Sequence, residues 1–291
     1  MASMMHRTTE IDGVEIFYRE AGPADAPVVL LPHGYPSSSF QYRGLMPALG
    51  DQWRLLAPDF PGFGYSAAPD DFDYSFAGYA TLLERFLDSL GVDRFVLYLF
   101  DYGSQVGIQL AQRNPERITG LIIQNGDAYE ETLGPKYAAL KEYWADPTDE
   151  RREVLAEAVS FEGFREEALG EVPPHTAERI SPDLWQLSWP LLRDRREIMA
   201  GFFLEIRESV RQYPAFHAYL REHQPPTLIV WGPQDGYMPA EAARAYLADL
   251  PKAELHLFED GGHWLLESHL DEVVPLVRDF LSRVAPGPER P

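Results

Sequence analysis

A short stretch at residues 98–107 constrains the fold of this chain more than any other part of its 291 residues. It follows an apolar, β-rich run at residues 94–97 and precedes an amphipathic run at residues 108–113, so it lies where a strand turns sharply into a helix. Asp101 stands at this turn, with Gly103 two residues after it. An aspartate here is either an exposed nucleophile or a cap of the following helix.

The carboxylate at this turn determines the chemistry to be expected. Its reference pKa of about 4 means that it needs no base to ionise it near neutral pH. It attacks an sp3 carbon bearing a leaving group and forms an alkyl-enzyme ester. The local sequence leaves both the nucleophile and the helix cap open, and the rest of the chain favours the nucleophile.

Apolar runs with the length of strands alternate with helical patterns along both ends of the chain. Strand patterns occur at residues 14–20, 27–32, 54–58, 94–97, 118–124, 227–231 and 254–258, and a helical pattern occurs at 76–90. This alternation predicts an α/β fold with a mostly parallel central sheet and helices on both faces.

The middle of the chain has a different sequence pattern. Residues 127–223 lose the short apolar runs and become helical and rich in aromatic residues. They are predicted to form a helical cap domain, inserted into an α/β core made of residues 1–126 and 224–291. A cleft between such a cap and its core is a favoured ligand site.

Two further candidate residues follow predicted strands. Asp235 comes after the strand at residues 227–231, and His263 comes after the strand at 254–258. Each could be an ordinary turn or loop residue. The carboxyl ends of parallel strands share one edge, however, so Asp101, Asp235 and His263 should converge there in the chain order nucleophile, acid, histidine.

The motif His33-Gly34-Tyr35-Pro36 directly follows the buried strand at residues 27–32. It could be a plain Gly/Pro turn. Its predicted place opposite Asp101 favours an oxyanion hole formed by the backbone N–H groups of Tyr35 and Tyr102.

Together these motifs resemble the epoxide hydrolase and haloalkane dehalogenase branch of the α/β-hydrolase fold, over almost the whole chain. The sequence Asp-Phe-Pro-Gly-Phe-Gly-Tyr-Ser at residues 59–66 belongs to the same resemblance. The resemblance implies that Asp101 is the nucleophile, that His263 activates the hydrolytic water, and that Asp235 orients His263.

The two activities of this branch differ in how the leaving group is stabilised. Dehalogenases resemble one another in carrying a Trp directly after the nucleophile and often an Asn at the position of Tyr35. This chain has Tyr102 after Asp101 and no Asn at position 35, so the indole and amide donors for a halide are missing. An epoxide hydrolase that opens an apolar or aromatic epoxide to a vicinal diol is therefore expected, and a haloalkane dehalogenase with the same triad is the alternative.

Epoxide hydrolases resemble each other in using cap tyrosines as donors to the epoxide oxygen. Tyr213 is the best match for such a donor, and Tyr143 is chosen as the second over Tyr129 and Tyr137. Each could equally pack the core of the cap. The residues expected to bind substrate are His33, Pro36, Tyr129 and Trp264.

The charge and hydrophobicity of the chain limit the kinds of partner it can bind. The net charge of −21 argues against binding nucleic acid or an anionic membrane surface. No apolar run could span a bilayer, and the start of the chain lacks the apolar region of a signal peptide, so a cytoplasmic protein is expected.

No cysteine, metal-ligand spacing or Gly-rich phosphate loop suggests a metal or a cofactor. The expected partners are a small-molecule substrate and water, with monomer and homodimer both left open. A ligand-binding protein of the same fold, without activity, is the alternative from outside enzymology.

Overall fold

The computed structural model describes residues 2–285. Within this range the chain forms one eight-stranded sheet, in the order β1-β2-β4-β3-β5-β6-β7-β8. The strands are β1 (Met4–Ile11), β2 (Val14–Ala21), β3 (Val28–Leu30), β4 (Arg54–Pro58), β5 (Phe95–Phe100), β6 (Ile118–Gln124), β7 (Thr227–Trp231) and β8 (Glu254–Leu257). Strand β2 pairs antiparallel with β1 and β4, and the other pairings are parallel.

Helices cover both faces of this sheet and fill the middle of the chain. The α-helices are α1 (Leu45–Leu49), α2 (Phe76–Ser89), α3 (Asp101–Arg113), α4 (Ala138–Ala145), α5 (Asp149–Glu157), α6 (Phe161–Leu169), α7 (Pro174–Ala177), α8 (Asp183–Leu192), α9 (Arg196–His223), α10 (Ala240–Asp249), α11 (Leu265–Ser268) and α12 (Leu270–Val284). Short 3-10 segments lie at Ser39–Tyr42, Pro115–Arg117, Glu130–Thr132, Pro135–Tyr137 and Arg193–Arg195. The chain therefore has the α/β fold with a mostly parallel sheet that its sequence pattern predicts.

The central strands show why continuous apolar runs form this sheet. Every residue of β5 and β7 is buried, because helices pack against both faces of the central strands. Strand β1, at one edge, is mostly exposed and polar. The carboxyl ends of β3, β5, β6, β7 and β8 lie along one edge of the sheet, and the loops that follow them carry the candidate residues.

The segment between β6 and β7, residues 125–226, contains helices α4 to α9 and no strand within the described range. We call it the cap segment. Its helix α6 begins where the hydroxyl of Ser160 accepts a hydrogen bond from the N–H of Gly163, at 3.0 Å. Phe164 and Ala168 form the buried side of α6. Across residues 2–285, no helix combines the length and apolarity that crossing a bilayer requires.

Candidate active site

Asp101 is the first residue of α3 and adopts the left-handed backbone conformation, with φ of 46°. This conformation is rare for a residue other than glycine, and it turns the chain abruptly from β5 into α3. Gly34 and Gly103 pack so closely around this turn that neither position has room for a side chain. A Cβ atom on Gly34 would lie 2.6 Å from Asp101 Oδ1, and one on Gly103 would lie 2.4 Å from the carbonyl oxygen of Pro32.

Two backbone N–H groups converge on the Asp101 carboxylate. Tyr35 N–H donates to Asp101 Oδ1 at 2.6 Å, and Tyr102 N–H also donates to this carboxylate. These are the two donors that the sequence places in an oxyanion hole. They are held in position for negative charge that develops on this oxygen.

The structure brings Asp101, Asp235 and His263 together at the carboxyl edge of the sheet. His263 Nδ1 lies 2.8 Å from Asp235 Oδ2, and His263 Nε2 lies 3.6 Å from Asp101 Oδ2. Asp235 Oδ1 accepts hydrogen bonds from the N–H groups of Tyr237 and Met238, at 2.9 and 3.1 Å. His263 is therefore oriented from one side by a fixed carboxylate and faces Asp101 on the other.

Asn125, directly after β6, fixes the acid of this group. Its Nδ2 donates to Asp235 Oδ2 and to the carbonyl oxygen of Gly232, each at 2.8 Å. Its Oδ1 accepts from Gly232 N–H at 3.0 Å. The side chain thus ties the loop after β7 to the end of β6.

The three side chains shift one another's pKa. Burial raises the pKa of Asp101, although His263 and the two N–H groups oppose this shift. Burial also acts to raise the pKa of Asp235, but His263 and Asn125 outweigh it and the pKa lies below its ordinary value. For His263, burial acts to lower the pKa, but Asp235 and Asp101 outweigh it and raise the pKa to about 9. The two acidic side chains therefore favour the protonated form of His263.

A cavity of about 220 Å3 opens above Asp101, between the sheet edge and the cap segment. Its lining is mostly apolar, with polar groups from a few residues, as in many small-molecule sites. The lining residues are Tyr35, Asp101, Tyr102, Lys136, Tyr137, Ala139, Leu140, Val154, Leu155, Ala158, Glu167, Phe203, Ile206, Tyr237 and Met238.

The two cap tyrosines predicted to donate to an epoxide oxygen do not line this cavity. Tyr213, in the middle of α9, is buried, and its hydroxyl lies near Asp127 and Gln105. Tyr143, in α4, is also buried, and its hydroxyl is one of the groups that raise the pKa of Arg152. Neither tyrosine therefore lies in the cavity lining where the sequence predicts a donor, because both side chains are packed in the buried core.

The residues predicted to bind substrate are scattered around the site. His33 is fully buried beneath its loop, and its Nε2 accepts from Phe60 N–H at 3.0 Å, so it holds the loop in place. Pro36 is buried and does not line the cavity. Tyr129 stacks on His217 and donates to Asp249 Oδ2 at 2.8 Å, away from the cavity. None of these three residues lines the cavity, so the structure gives no support to their predicted contact with substrate.

Trp264 packs beside His263 at the carboxyl edge of the sheet. Its ring packs against Phe100 and His263, with ring centroids 5.3 and 5.5 Å apart. The indole Nε1 is buried and has no hydrogen-bond partner among the described residues.

Three polar residues at the cavity are not among the site residues predicted from the sequence. Glu167 and Lys136 line it from the cap segment, and Asp127 lies behind it and accepts from the hydroxyl of Tyr137 at 2.6 Å. Asp127 also accepts from Gln105 Nε2 at 2.8 Å. Its position two residues after Asn125, at the same sheet edge, could have identified Asp127, whereas no motif marks Glu167 or Lys136.

Comparison with known proteins shows what this chain is similar to. Residues 27–270 match the family model described as alpha/beta hydrolase fold. An uncharacterised hydrolase of Saccharomyces cerevisiae is 34% identical, with 96% of this chain and 97% of the relative covered. A haloalkane dehalogenase of Bradyrhizobium diazoefficiens is 29% identical, with 96% and 94% covered. The solved structure of an epoxide hydrolase has a TM-score of 0.79 at 19% identity, covering 97% of this chain and 99% of that one, which shows a shared fold.

Proposed function

Since this chain belongs to the α/β-hydrolase family, in its epoxide hydrolase and haloalkane dehalogenase branch, we propose that it opens an apolar or aromatic epoxide to a vicinal diol. The observation that carries the proposal is the Asp101 carboxylate, which stands on the left-handed turn with His263 Nε2 at 3.6 Å. A carboxylate attacks carbon and forms an ester, and the adjacent imidazole is placed to hydrolyse that ester.

In the first step Asp101 Oδ2 attacks one epoxide carbon. The bond from that carbon to the ring oxygen breaks, and an alkyl ester of Asp101 forms. Oδ1 stays bound to the N–H of Tyr35, and this N–H and that of Tyr102 hold the carboxylate in the orientation for attack. The mostly apolar cavity places the hydrocarbon part of the substrate above Asp101.

In the second step neutral His263 removes a proton from water, and the resulting hydroxide attacks Cγ of the Asp101 ester. The bond from Cγ to Oδ2 then breaks, and the imidazolium returns its proton to the departing diol oxygen. Esterification removes the negative charge of Asp101, which is one cause of the raised pKa of His263. The imidazole thus becomes a stronger acid and loses its proton more readily once the ester exists. Asp235 keeps the ring in the tautomer that presents Nε2 to the water, and the two N–H groups stabilise the charge on Oδ1.

The polar groups of the cavity favour an epoxide over a haloalkane. Tyr35, Tyr237 and Glu167 are polar residues of its lining, and none of the described residues that line it is a tryptophan. A leaving oxygen takes up a proton from such groups, whereas a halide leaves as an anion that N–H groups hold. Haloalkane dehalogenation is the second candidate, and the unpartnered Nε1 of Trp264 beside His263 is the observation that favours it.

Trapping the ester tests the proposal. The His263→Gln variant is mixed with styrene oxide, with aliphatic epoxides and with bromoalkanes, quenched, and measured by intact mass spectrometry. Without the base, the ester should accumulate because only its hydrolysis is blocked. The matched control is the double variant Asp101→Asn, His263→Gln, which lacks the nucleophile.

An adduct with the whole mass of the epoxide, localised to Asp101 and absent from the control, is the expected result. An alkyl adduct that has lost bromide, with no epoxide adduct, would replace the proposal with haloalkane dehalogenation. No adduct from either panel would contradict both activities and favour a protein that binds a ligand without converting it.

A further inference from the structure

The proposed ring opening needs a proton donor on the cap side of the cavity. In an in-line displacement the leaving oxygen departs on the side of the carbon opposite to Asp101. His263 lies on the Asp101 side, with Nε2 3.6 Å from the attacking carboxylate, so it is poorly placed to reach that oxygen. The tyrosines expected to supply the proton, Tyr143 and Tyr213, do not line the cavity.

Glu167 is the acidic residue that the cap segment contributes to the cavity wall. It lies on α6 between the buried Phe164 and Ala168, which fix this helix against its neighbours. Tyr35 and Tyr237 line the same wall, and Glu167 is the charged group that acts most strongly on both hydroxyls. The Tyr35 hydroxyl is buried and makes no hydrogen bond to any described residue. Glu167, Tyr35 and Tyr237 thus share one cavity lining with Asp101, and Glu167 is the member that comes from the cap segment.

The surroundings of Glu167 keep part of its population protonated. Burial is the largest cause and raises its pKa to about 7, while His263 and Lys136 oppose the shift. The titratable groups of neighbouring elements that interact with it are His263, Lys136, Asp235, Asp101, Tyr35, Tyr102 and Tyr237. A carboxylic acid that titrates near neutral pH is well matched to donating a proton to a developing alkoxide.

Lys136 is a poorer source of that proton. Its ammonium group lies 3.0 Å from Glu171 Oε1, and its pKa is raised, with burial opposed by Glu167 and Glu171. The ammonium therefore holds its proton more tightly than an isolated lysine does.

We propose that the carboxyl group of Glu167 donates the proton taken up by the leaving oxygen when Asp101 opens the epoxide. This inference rests on the proposed function. Asp101 forms a bond to carbon, the carbon–oxygen bond of the ring breaks, and the oxygen takes the proton of Glu167. Ester hydrolysis later releases the second hydroxyl of the diol and regenerates Asp101 as its carboxylic acid. That acid ionises, and the proton it gives up restores the neutral carboxyl group of Glu167.

The test measures ester formation and ester hydrolysis separately. In the His263→Gln background, the rate of adduct formation with styrene oxide is followed by quenched mass spectrometry, with and without Glu167→Gln. Glutamine cannot supply the proton, so ester formation should slow by about 100-fold. The control is Glu166→Gln, the exposed neighbour on the same helix, which should leave the rate unchanged.

The pH profile separates proton donation from a structural role. With Glu167 present, the rate should fall as pH rises through a midpoint at or above pH 7, since the absence of His263 removes a group that lowers the pKa of Glu167. Glu167→Asp should keep a pH-dependent rate, and Glu167→Gln should lose it. A rate loss without this difference between the variants would overturn the proposal.

Two other results would overturn it in different ways. Unchanged ester formation, with slowed ester hydrolysis when His263 is present, would place Glu167 beside the hydrolytic water instead; Glu167 also borders a small cavity next to His263. No adduct in the His263→Gln variant itself would overturn the proposed function and this inference with it. An adduct that forms equally fast with Glu167→Gln would overturn the inference alone.

Discussion

Leu99 packs directly against Gly107, so that a Cβ atom added to Gly107 would lie 2.5 Å from Leu99 Cδ2. Leu99 is near the end of β5 and Gly107 lies in the second turn of α3, on either side of the turn at Asp101. The sharp turn brings strand and helix so close that the Leu99 side chain occupies the space that a Cβ atom at position 107 would need. Here the glycine is on the helix, which is how the turn accommodates a bulky Leu two residues before its carboxylate.

Gly107→Ala should therefore destabilise the protein. The added methyl group has no space beside Leu99, and overpacking of this kind costs about 1–3 kcal/mol in the free energy of unfolding. Urea denaturation measures it. The matched control is Gly201→Ala in α9, where nothing lies within 4 Å of the added atom. Alanine is preferred over glycine inside a helix, so this variant should be neutral or more stable.

The double variant Leu99→Ala, Gly107→Ala tests the contact itself. Leu99→Ala alone should destabilise because it leaves a cavity. Since the smaller side chain makes room for the methyl group, the loss in the double variant should be less than the sum of the single losses. Strictly additive losses would contradict the proposed contact.

Asp235→Asn should slow ester hydrolysis far more than ester formation. Asp235 accepts from His263 Nδ1 at 2.8 Å, and an amide in its place favours the wrong imidazole tautomer and leaves the protonated ring unsupported. We expect turnover to fall by about 10²- to 10⁴-fold, with the Asp101 ester accumulating during turnover. Rapid quench and intact mass measurement detect the ester. Asp93→Asn, on the surface, serves as the control, and equal slowing of both steps by Asp235→Asn would contradict the assigned role.

The meeting of Asp101, Asp235 and His263 could be predicted because it follows from topology. Parallel strands place their carboxyl ends at one edge, and strand-like runs before each of the three residues are legible in the sequence. The N–H groups of Tyr35 and Tyr102 follow from the same reasoning, since their loops leave adjacent strands, β3 and β5.

The cap side of the site could not be predicted in this way. Which side chains of a helix face a cavity depends on how that helix packs on its neighbours, and the sequence of an inserted helical segment does not determine that packing. The sequence singles out Tyr213 and gives no sign of Glu167, yet only Glu167 lines the cavity. The sequence pattern places Asp127 at the start of the cap domain. Its side chain accepts a hydrogen bond from Gln105 of α3, a helix of the core.

Tyr143→Phe and Tyr213→Phe should each leave the rate of ester formation within about twofold of the unmodified protein. Neither hydroxyl belongs to a residue that lines the cavity, so neither is placed to contact a leaving oxygen. Rates are measured with styrene oxide in the His263→Gln background, and Glu167→Gln is the comparison that should be slow. A large rate loss in either Phe variant would restore that tyrosine as a proton donor.

Asp127→Asn should change how stability depends on pH. Burial raises the pKa of Asp127 to about 6, although the hydrogen bond from Tyr137 opposes the shift. Between the ordinary pKa of the unfolded state, about 4, and this value, the folded protein binds more protons than the unfolded chain. Its free energy of unfolding therefore falls as pH rises through this window.

The asparagine variant lacks this titration but keeps an amide oxygen that can accept from Tyr137 or Gln105. From pH 4 to pH 7, the unmodified protein should lose up to about 3 kcal/mol of stability relative to Asp127→Asn. Urea unfolding at a series of pH values measures the difference, and taking it between the two proteins cancels the titration of groups they share. Curves that stay parallel across this range, as expected for the control Asp93→Asn, would show that Asp127 has an ordinary pKa in the folded protein.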